Sequence, residues 1–265
     1  MSPRTLTVAT LNLWNISDPW PARRALIDAA LTRHDVDVLF VQECLRFEGF
    51  DQAAELAAPR GFELAFGAHG ESPYPFGNAV LSRWPVTLAE VSPLPRVGTD
   101  ENRSVTVAHV ATPWGRLPCA VTHLNWRLDQ GYVREAQVAH VVSVLDAHCG
   151  EADLPALLAG DFNAEPDSDE MRYLRGLRTL NGRSTYFNDC WRTVNGALEG
   201  ATFSRRNPYA AVCREPDRRL DYVFVKGPNS RYEGYPIACE LIFDTPDADG
   251  VWPSDHFGVL ATIGL

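Results

Sequence analysis

The stretch "LLAGDFNAEPDSDEM", residues 157–171, runs from apolar residues into an acid and an amide two positions apart, Asp161 and Asn163. A short apolar run bounded by turn formers has the pattern of a buried strand. Asp and Asn also bond nearby backbone N–H groups, so Asp-x-Asn ahead of Pro166 is, taken alone, satisfied by a strand ending in a turn. Its reading therefore depends on how the other strands of the chain end.

Outward from this stretch, similar segments recur: "TLTVATLNLW" (5–14), "VDVLFVQEC" (36–44), "FELAFGA" (62–68), "NAVLSRW" (78–84), "SVTVAHVAT" (104–112), "RLPCAVTHLNW" (116–126), "LDYVFVKG" (220–227) and "FGVLATIGL" (257–265). They are short, rich in Val, Leu, Thr and Phe, and bounded by Gly, Pro and Asp. Helices are expected over Pro21–His34, Tyr132–His148 and Ser168–Leu177. In the second of these, Val133, Ala136, Val138, Val141, Val142 and Leu145 trace one face. Irregular loops are expected at 68–78, 92–103, 181–219 and 244–254. Many strands with few helices between them predict sheets covered by helices. No repeat or linker breaks the pattern, so one α/β domain over residues 1–265 is expected.

Composition narrows the function classes. With 45% hydrophobic residues, 265 residues can bury a large core. Acids outnumber bases 34 to 24, for a formal charge of -10, which disfavours a mainly electrostatic grip on polyanions such as duplex DNA. Lys226 is the sole lysine. Guanidinium groups suit bidentate phosphate contacts, but codon bias explains the imbalance equally well, so it carries no argument. The start "MSPRTLTVATLNLW" lacks the basic region and apolar core of a secretion signal, and no apolar run reaches membrane-spanning length. A cytoplasmic location is expected. The six cysteines form no C-x-x-C pair, and free thiols are expected.

The strand-like runs repeatedly meet the same class of residue: Asn12, Glu43, His123 with Asn125, Asp161 with Asn163, Asp221, and Asp255 with His256. Strand ends from one sheet edge can converge on a common cleft. Glu43, with Asn12 and Asp255, supplies hard oxygen ligands suited to Mg²⁺ or Mn²⁺, and no Cys/His cluster suggests zinc. A histidine beside an aspartate can stay protonated and stabilise charge on a phosphoryl oxygen, while another carboxylate can orient or deprotonate water. Together these parts describe metal-assisted phosphoester hydrolysis.

The ordered set "TLN", "QE", "THLN", "GDFN", "LDYVF" and "SDH" resembles the endonuclease/exonuclease/phosphatase superfamily with its DNase I-like fold, over nearly the whole chain from Asn12 to His256. The resemblance implies a four-layer α/β/β/α sandwich, two mixed sheets face to face with outer helices, and a site at one edge of the sheets. It implies Glu43 as the principal metal ligand, with Asn12 beside it and Asp255 close or bridged through water. Asp161 matches the acid that positions the attacking water and Asn163 the amide that contacts the phosphate. His256 matches the phosphate-binding histidine and Asp221 the acid that holds it charged. His123 matches a second histidine that stabilises or protonates the leaving side. Some members support that histidine with a carboxylate. Here the corresponding segment offers Asn78, which leaves the protonation state of His123 open.

Asn78, Arg103 and Asn125 are candidate substrate contacts. Arg103 and Arg219 read equally well as structural charges. Trp14, Trp126 and Trp252 lie close to proposed catalytic residues, with packing as their simpler explanation. "DTPDADG" (244–250) fails as a calcium loop, because Thr245 occupies the first ligand position and His256 stands where a bidentate Glu belongs. The expected function is a Mg²⁺- or Mn²⁺-dependent phosphoesterase acting on a small nucleotide, sugar phosphate or lipid headgroup. Two readings compete with it, a nuclease on the same fold and an inactive binding scaffold. The filled set of site positions opposes the scaffold, and the acidic balance makes nucleic acid the less favoured partner.

Overall fold

The computed structural model describes residues 4–71, 75–227, 229 and 231–265; positions 72–74 of the expected 68–78 loop lie outside the described residues. Most of the apolar runs become the strands of two sheets. The first sheet contains β1 (Thr5–Asn12), β2 (Val38–Phe47), β3 (Phe50–Asp51), β4 (Glu63–Ala68), β5 (Phe76–Ser82), β12 (Tyr235–Ile242) and β13 (Gly258–Gly264). The second contains β6 (Val86–Pro93), β7 (Ser104–Thr112), β8 (Gly115–His123), β9 (Leu157–Asp161), β10 (Phe187–Asp189) and β11 (Asp221–Lys226). Their orders are β12-β13-β1-β2-β5-β4, with β3 paired to β2, and β10-β11-β9-β8-β7-β6. Both sheets are mixed: β1 with β2 and β8 with β9 are parallel, and the other pairs are antiparallel.

Alternation along the strands builds the layers, because successive side chains point to opposite faces. Leu6 and Val8 of β1, Val38 and Phe40 of β2, Cys119 and Val121 of β8, Leu157 and Ala159 of β9, and Val223 and Val225 of β11 meet in the core between the sheets. The interleaved Ala9, Leu11, Leu39 and Val41 pack outward with Ile27 and Leu31 of α1 (Trp20–Arg33) and Leu56 of α2 (Gln52–Ala57). On the other side, Ala120, Leu158 and Phe224 pack with Val138, Val141 and Leu145 of α3 (Gly131–Ala147) and Met171 and Leu174 of α4 (Asp169–Leu174). These are the four expected layers. Each fully buried Val or Leu contributes about 1.5–3 kcal/mol, so these cores supply the driving force that a polar edge does not.

Several elements differ from the expectations. The 181–219 region contains β10, α5 (Cys190–Asn195) and α6 (Pro208–Ala211), which are too short to show a period. The edge strands β6 and β12 were not expected. Most of their side chains are exposed or half-buried, so neither carries an apolar run. The α2 helix is six residues long and is set by its cap, with Ala54 N donating to Asp51 Oδ1 at 3.0 Å. All six cysteines are free, and Cys44, Cys119, Cys190 and Cys239 are buried. Among the described residues no helix is long and apolar enough to cross a membrane.

Candidate active site

Strand direction brings the polar residues to one edge. The parallel strands β1, β8 and β9 present their C-terminal ends there, at Asn12, His123 and Asp161. The antiparallel β11 and β13 present their N-terminal ends, at Asp221 and just after Asp255 and His256. The face follows from alternation. Continuing Leu157, Ala159 by two gives Asp161; Cys119, Val121 gives His123; Val225, Val223 gives Asp221; Leu6, Val8, Thr10 gives Asn12. All four end in the space between the sheets. Register fixes the rest, with His123 opposite Asp161 on one side and Asp221 opposite Asp161 on the other.

Glu43 breaks the alternation. It follows Val41 by two and belongs by parity to the outer face. It is also not a strand terminus, as the sequence suggested, because β2 continues to Phe47. Its backbone takes φ 54°, and the β2/β5 register shifts between Val41 and Cys44. Such a bulge re-aims a side chain. The carboxylate then meets Asn12 Nδ2 at 3.4 Å and Asn15 Nδ2 at 3.3 Å. Left-handed φ at a non-Gly, non-Asn residue is uncommon and costs roughly 1–3 kcal/mol.

Asp161 is the hub. Its Oδ1 accepts from Asn163 N at 2.9 Å, and its Oδ2 accepts from Asn12 Nδ2 of the other sheet at 3.0 Å. The same Oδ2 lies 3.4 Å from His123 Nε2 and 3.8 Å from His256 Nε2. Burial, followed by the charge of Asp221, pushes its carboxyl up to about 7. His256 Nδ1 donates to Asp221 Oδ2 at 2.8 Å. Burial opposes charge on this ring, yet Asp221, Asp161 and Asp255 together raise its pKa well above the usual imidazole range. Asp255 is pushed up to about 6, first by burial, with His256 opposing and Glu43 adding. Ser254 Oγ donates to the Asn12 carbonyl at 2.6 Å, tying this segment to β1.

The second histidine has a different environment. Arg103 Nη1 lies 2.8 Å from His123 Nδ1, and Arg103 Nη2 donates to Glu101 Oε1 at 2.6 Å. Burial, then Arg103, His69 and His256, hold His123 well below the usual imidazole range. Asn125 is buried and donates to Glu101 Oε2 at 2.9 Å, and Asn78 is buried and donates to Ser104 O at 3.1 Å. The expected substrate contacts Asn78, Arg103 and Asn125 are thus engaged within the wall around His123. Asn163, at φ 49°, donates from Nδ2 to Leu124 O at 3.1 Å. Glu101 and Asn15 were not singled out from the sequence, because a loop acid and a post-strand Asn carry no pattern of their own.

Arg219 makes a bidentate pair with Asp189 at 2.9 and 2.8 Å. Trp14 stacks on Tyr209 at 4.7 Å, Trp252 is buried against Phe257, and Trp126 is 51% exposed.

Asp161, Asp221 and His256 bring ligand atoms within 4.8 Å of one another. Asp221 Oδ2 is taken by His256, while Asp221 Oδ1 is buried without a hydrogen-bond partner. Glu43 and Asp255 form a second donor set. Arg23 donates to the carbonyls of Leu13, Asn15, Ser17 and Pro253, and its charge and that of His256 act on Asp255 without an ion pair to either carboxylate among the described residues. Hard carboxylate oxygens that repel one another, Glu43 adding to the rise of Asp255, fit a divalent cation such as Mg²⁺ or Mn²⁺.

The family model described as Endonuclease/Exonuclease/phosphatase family matches residues 9–256. No curated protein sequence matches the chain. Among solved structures, TDP2 of D. rerio complexed with a single-strand DNA product is similar, with TM-score 0.77, 21% identity and 98% and 99% of the two chains covered. An endonuclease/exonuclease/phosphatase protein of Beutenbergia cavernae gives TM-score 0.76 and 24% identity over 99% of this chain and 72% of that one. The human Nocturnin catalytic domain with bound sulfate gives 0.69 and 19% over 98% and 94%. At these identities the likeness is one of fold.

Proposed function

Since the chain belongs to the endonuclease/exonuclease/phosphatase family, we propose that its polar edge hydrolyses a phosphoester with a divalent cation, Mg²⁺ or Mn²⁺. One observation carries this reading: Asp161 stands between two histidines, 3.4 and 3.8 Å from their Nε2 atoms, and is hydrogen-bonded to Asn12 across the sheets.

Glu43 and Asp255 would hold the cation, with Asn12 beside them. When bound, it supplies Lewis-acid stabilisation of negative charge on the phosphoryl oxygens. Asp161 orients the attacking water and takes its proton, a role suited to a carboxyl raised to about 7, since a base works best with a pKa near the operating pH. His256, held charged by Asp221, donates to a phosphoryl oxygen. Asn163 contributes its amide to the same phosphate. His123 faces the leaving side.

A small phosphoester is the favoured substrate. Of the five arginines in 202–219, four are paired with acids: Arg205 with Asp217, Arg206 with Asp244, Arg218 with Glu215 and Arg219 with Asp189. Pairing cancels the local charge that a grip on duplex DNA needs, and the chain carries -10 overall. The test compares aryl phosphomonoesters and phosphodiesters with supercoiled plasmid at equal enzyme concentration, in low and physiological salt. Turnover of small esters with little salt dependence supports the reading. Efficient nicking that weakens steeply with salt and is abolished by Asp161→Asn assigns the site to a nuclease.

A further inference from the structure

We propose that Arg103 is a positioning residue that locks His123 as a neutral imidazole with its single proton on Nε2, so that His123 acts as a hydrogen-bond donor and not as a proton-releasing acid. The inference rests on the phosphoesterase reading only for its kinetic consequence. The ring state itself follows from the contacts.

A guanidinium has five N–H donors and no acceptor. At 2.8 Å from His123 Nδ1, Arg103 Nη1 is the donor, and Nδ1 must offer its lone pair. A neutral imidazole that accepts at one nitrogen carries its proton on the other. That nitrogen, Nε2, is the one directed at Asp161 Oδ2, at 3.4 Å. Protonating Nδ1 would set an N–H against an N–H inside a buried wall and add a second cation beside Arg103.

The charged and titratable groups around the ring point the same way. Arg103 faces Nδ1, His69 lies with its ring centroid 6.5 Å away, and His256 lies across Asp161. The anion that His123 meets directly is Asp161, and it meets Nε2. Arg103 cannot easily swing off. Its other terminal nitrogen donates to Glu101 Oε1 at 2.6 Å, and Glu101 Oε2 in turn accepts from Asn125 at 2.9 Å. The chain Asn125, Glu101, Arg103, His123 is therefore a brace, buried except at the half-buried Glu101, in which each member fixes the next. Burial and Arg103 also hold His69 down to about 3, so it adds no charge.

The two histidines consequently do different work. His256 is a cation that keeps its proton, and His123 is a neutral donor whose Nε2–H strengthens a hydrogen bond as charge develops on an oxygen, without giving the proton up. An amide can replace such a donor but cannot replace an acid.

The test uses the whole protein labelled with ¹⁵N-histidine, with His123 assigned by the loss of its signals in His123→Gln. Between about pH 5 and pH 8, the expected spectrum shows Nδ1 unprotonated and Nε2 protonated without titration. Arg103→Lys restores this pattern, whereas Arg103→Met lets Nδ1 pick up a proton as pH falls. With a series of aryl phosphodiesters, His123→Gln keeps the wild-type dependence on leaving-group pKa and stays within about tenfold of wild-type kcat, while His123→Ala loses roughly 10²-fold or more. A doubly protonated His123 near neutrality, an Nδ1–H tautomer, or a steeper leaving-group dependence in His123→Gln overturns the proposal. The spectrum is read without substrate. A locked ring in a protein that turns over no phosphoester therefore supports the assignment of the ring and contradicts the hydrolase reading alone.

Discussion

Asp161 and Asp221 stand directly opposite one another across the antiparallel β9/β11 ladder, both in the space between the sheets. Two buried carboxylates one strand spacing apart, about 4.8 Å, cannot both stay ionised without a compensating cation. His256 supplies it, bonded to Asp221 and near Asp161. The electrostatics of the site thus follow from a strand register.

Removing the charge of Asp221 should uncouple this arrangement. The acid stabilises imidazolium, so Asp221→Asn lowers the pKa of His256, by roughly 1–3 units for a close buried partner. The alkaline limb of activity then moves to lower pH, because the ring loses its proton earlier. Comparison of the two pH-rate profiles checks this, and superimposable alkaline limbs with equal rates remove Asp221 from the role.

Glu43→Gln probes the cation site. An amide keeps the shape and removes the charge, so Mn²⁺ affinity should fall by at least tenfold in calorimetry, and activity should fall with it at fixed metal. The circular dichroism of the variant should match wild type, because Glu43 lies outside the apolar cores. Unchanged affinity would exclude Glu43 as the principal ligand.

Gly160 tests whether register positions the chemistry. It has φ 145°, and a Cβ there would collide with Thr122 O of β8. Gly160→Ala must push β9 from β8 and shift Asp161 from His123. A displacement near 1 Å costs on the order of 10²-fold in rate, so kcat should fall by about that factor even where metal affinity holds. A variant with wild-type kcat would show that the edge tolerates a loose register.

Much of this edge was legible from strand ends alone. Asp161, His123, Asn12 and Asp221 sit where apolar alternation runs out, and period-two counting places them on one face. Glu43 was found by residue type but not by geometry, because only the bulge and its left-handed backbone turn it inward. The wall behind His123 was least legible. Glu101 has no periodic signal, and nothing in the pattern shows that Arg103 bonds His123 and Glu101 or that Asn78 bonds the Ser104 carbonyl. The edge strands β6 and β12 escaped because exposed strands lack apolar runs.

The most direct measurement pairs turnover with metal binding in Asp161→Asn. Wild type should hydrolyse an aryl phosphodiester or phosphomonoester with Mg²⁺ or Mn²⁺ and stop when the metal is chelated. Asp161→Asn should lose roughly 10²–10⁴-fold in kcat while binding Mn²⁺ as wild type does, since the proposed ligands are Glu43 and Asp255. Undiminished turnover in Asp161→Asn, or a wild-type protein inert toward small esters and DNA with both metals, would contradict the account.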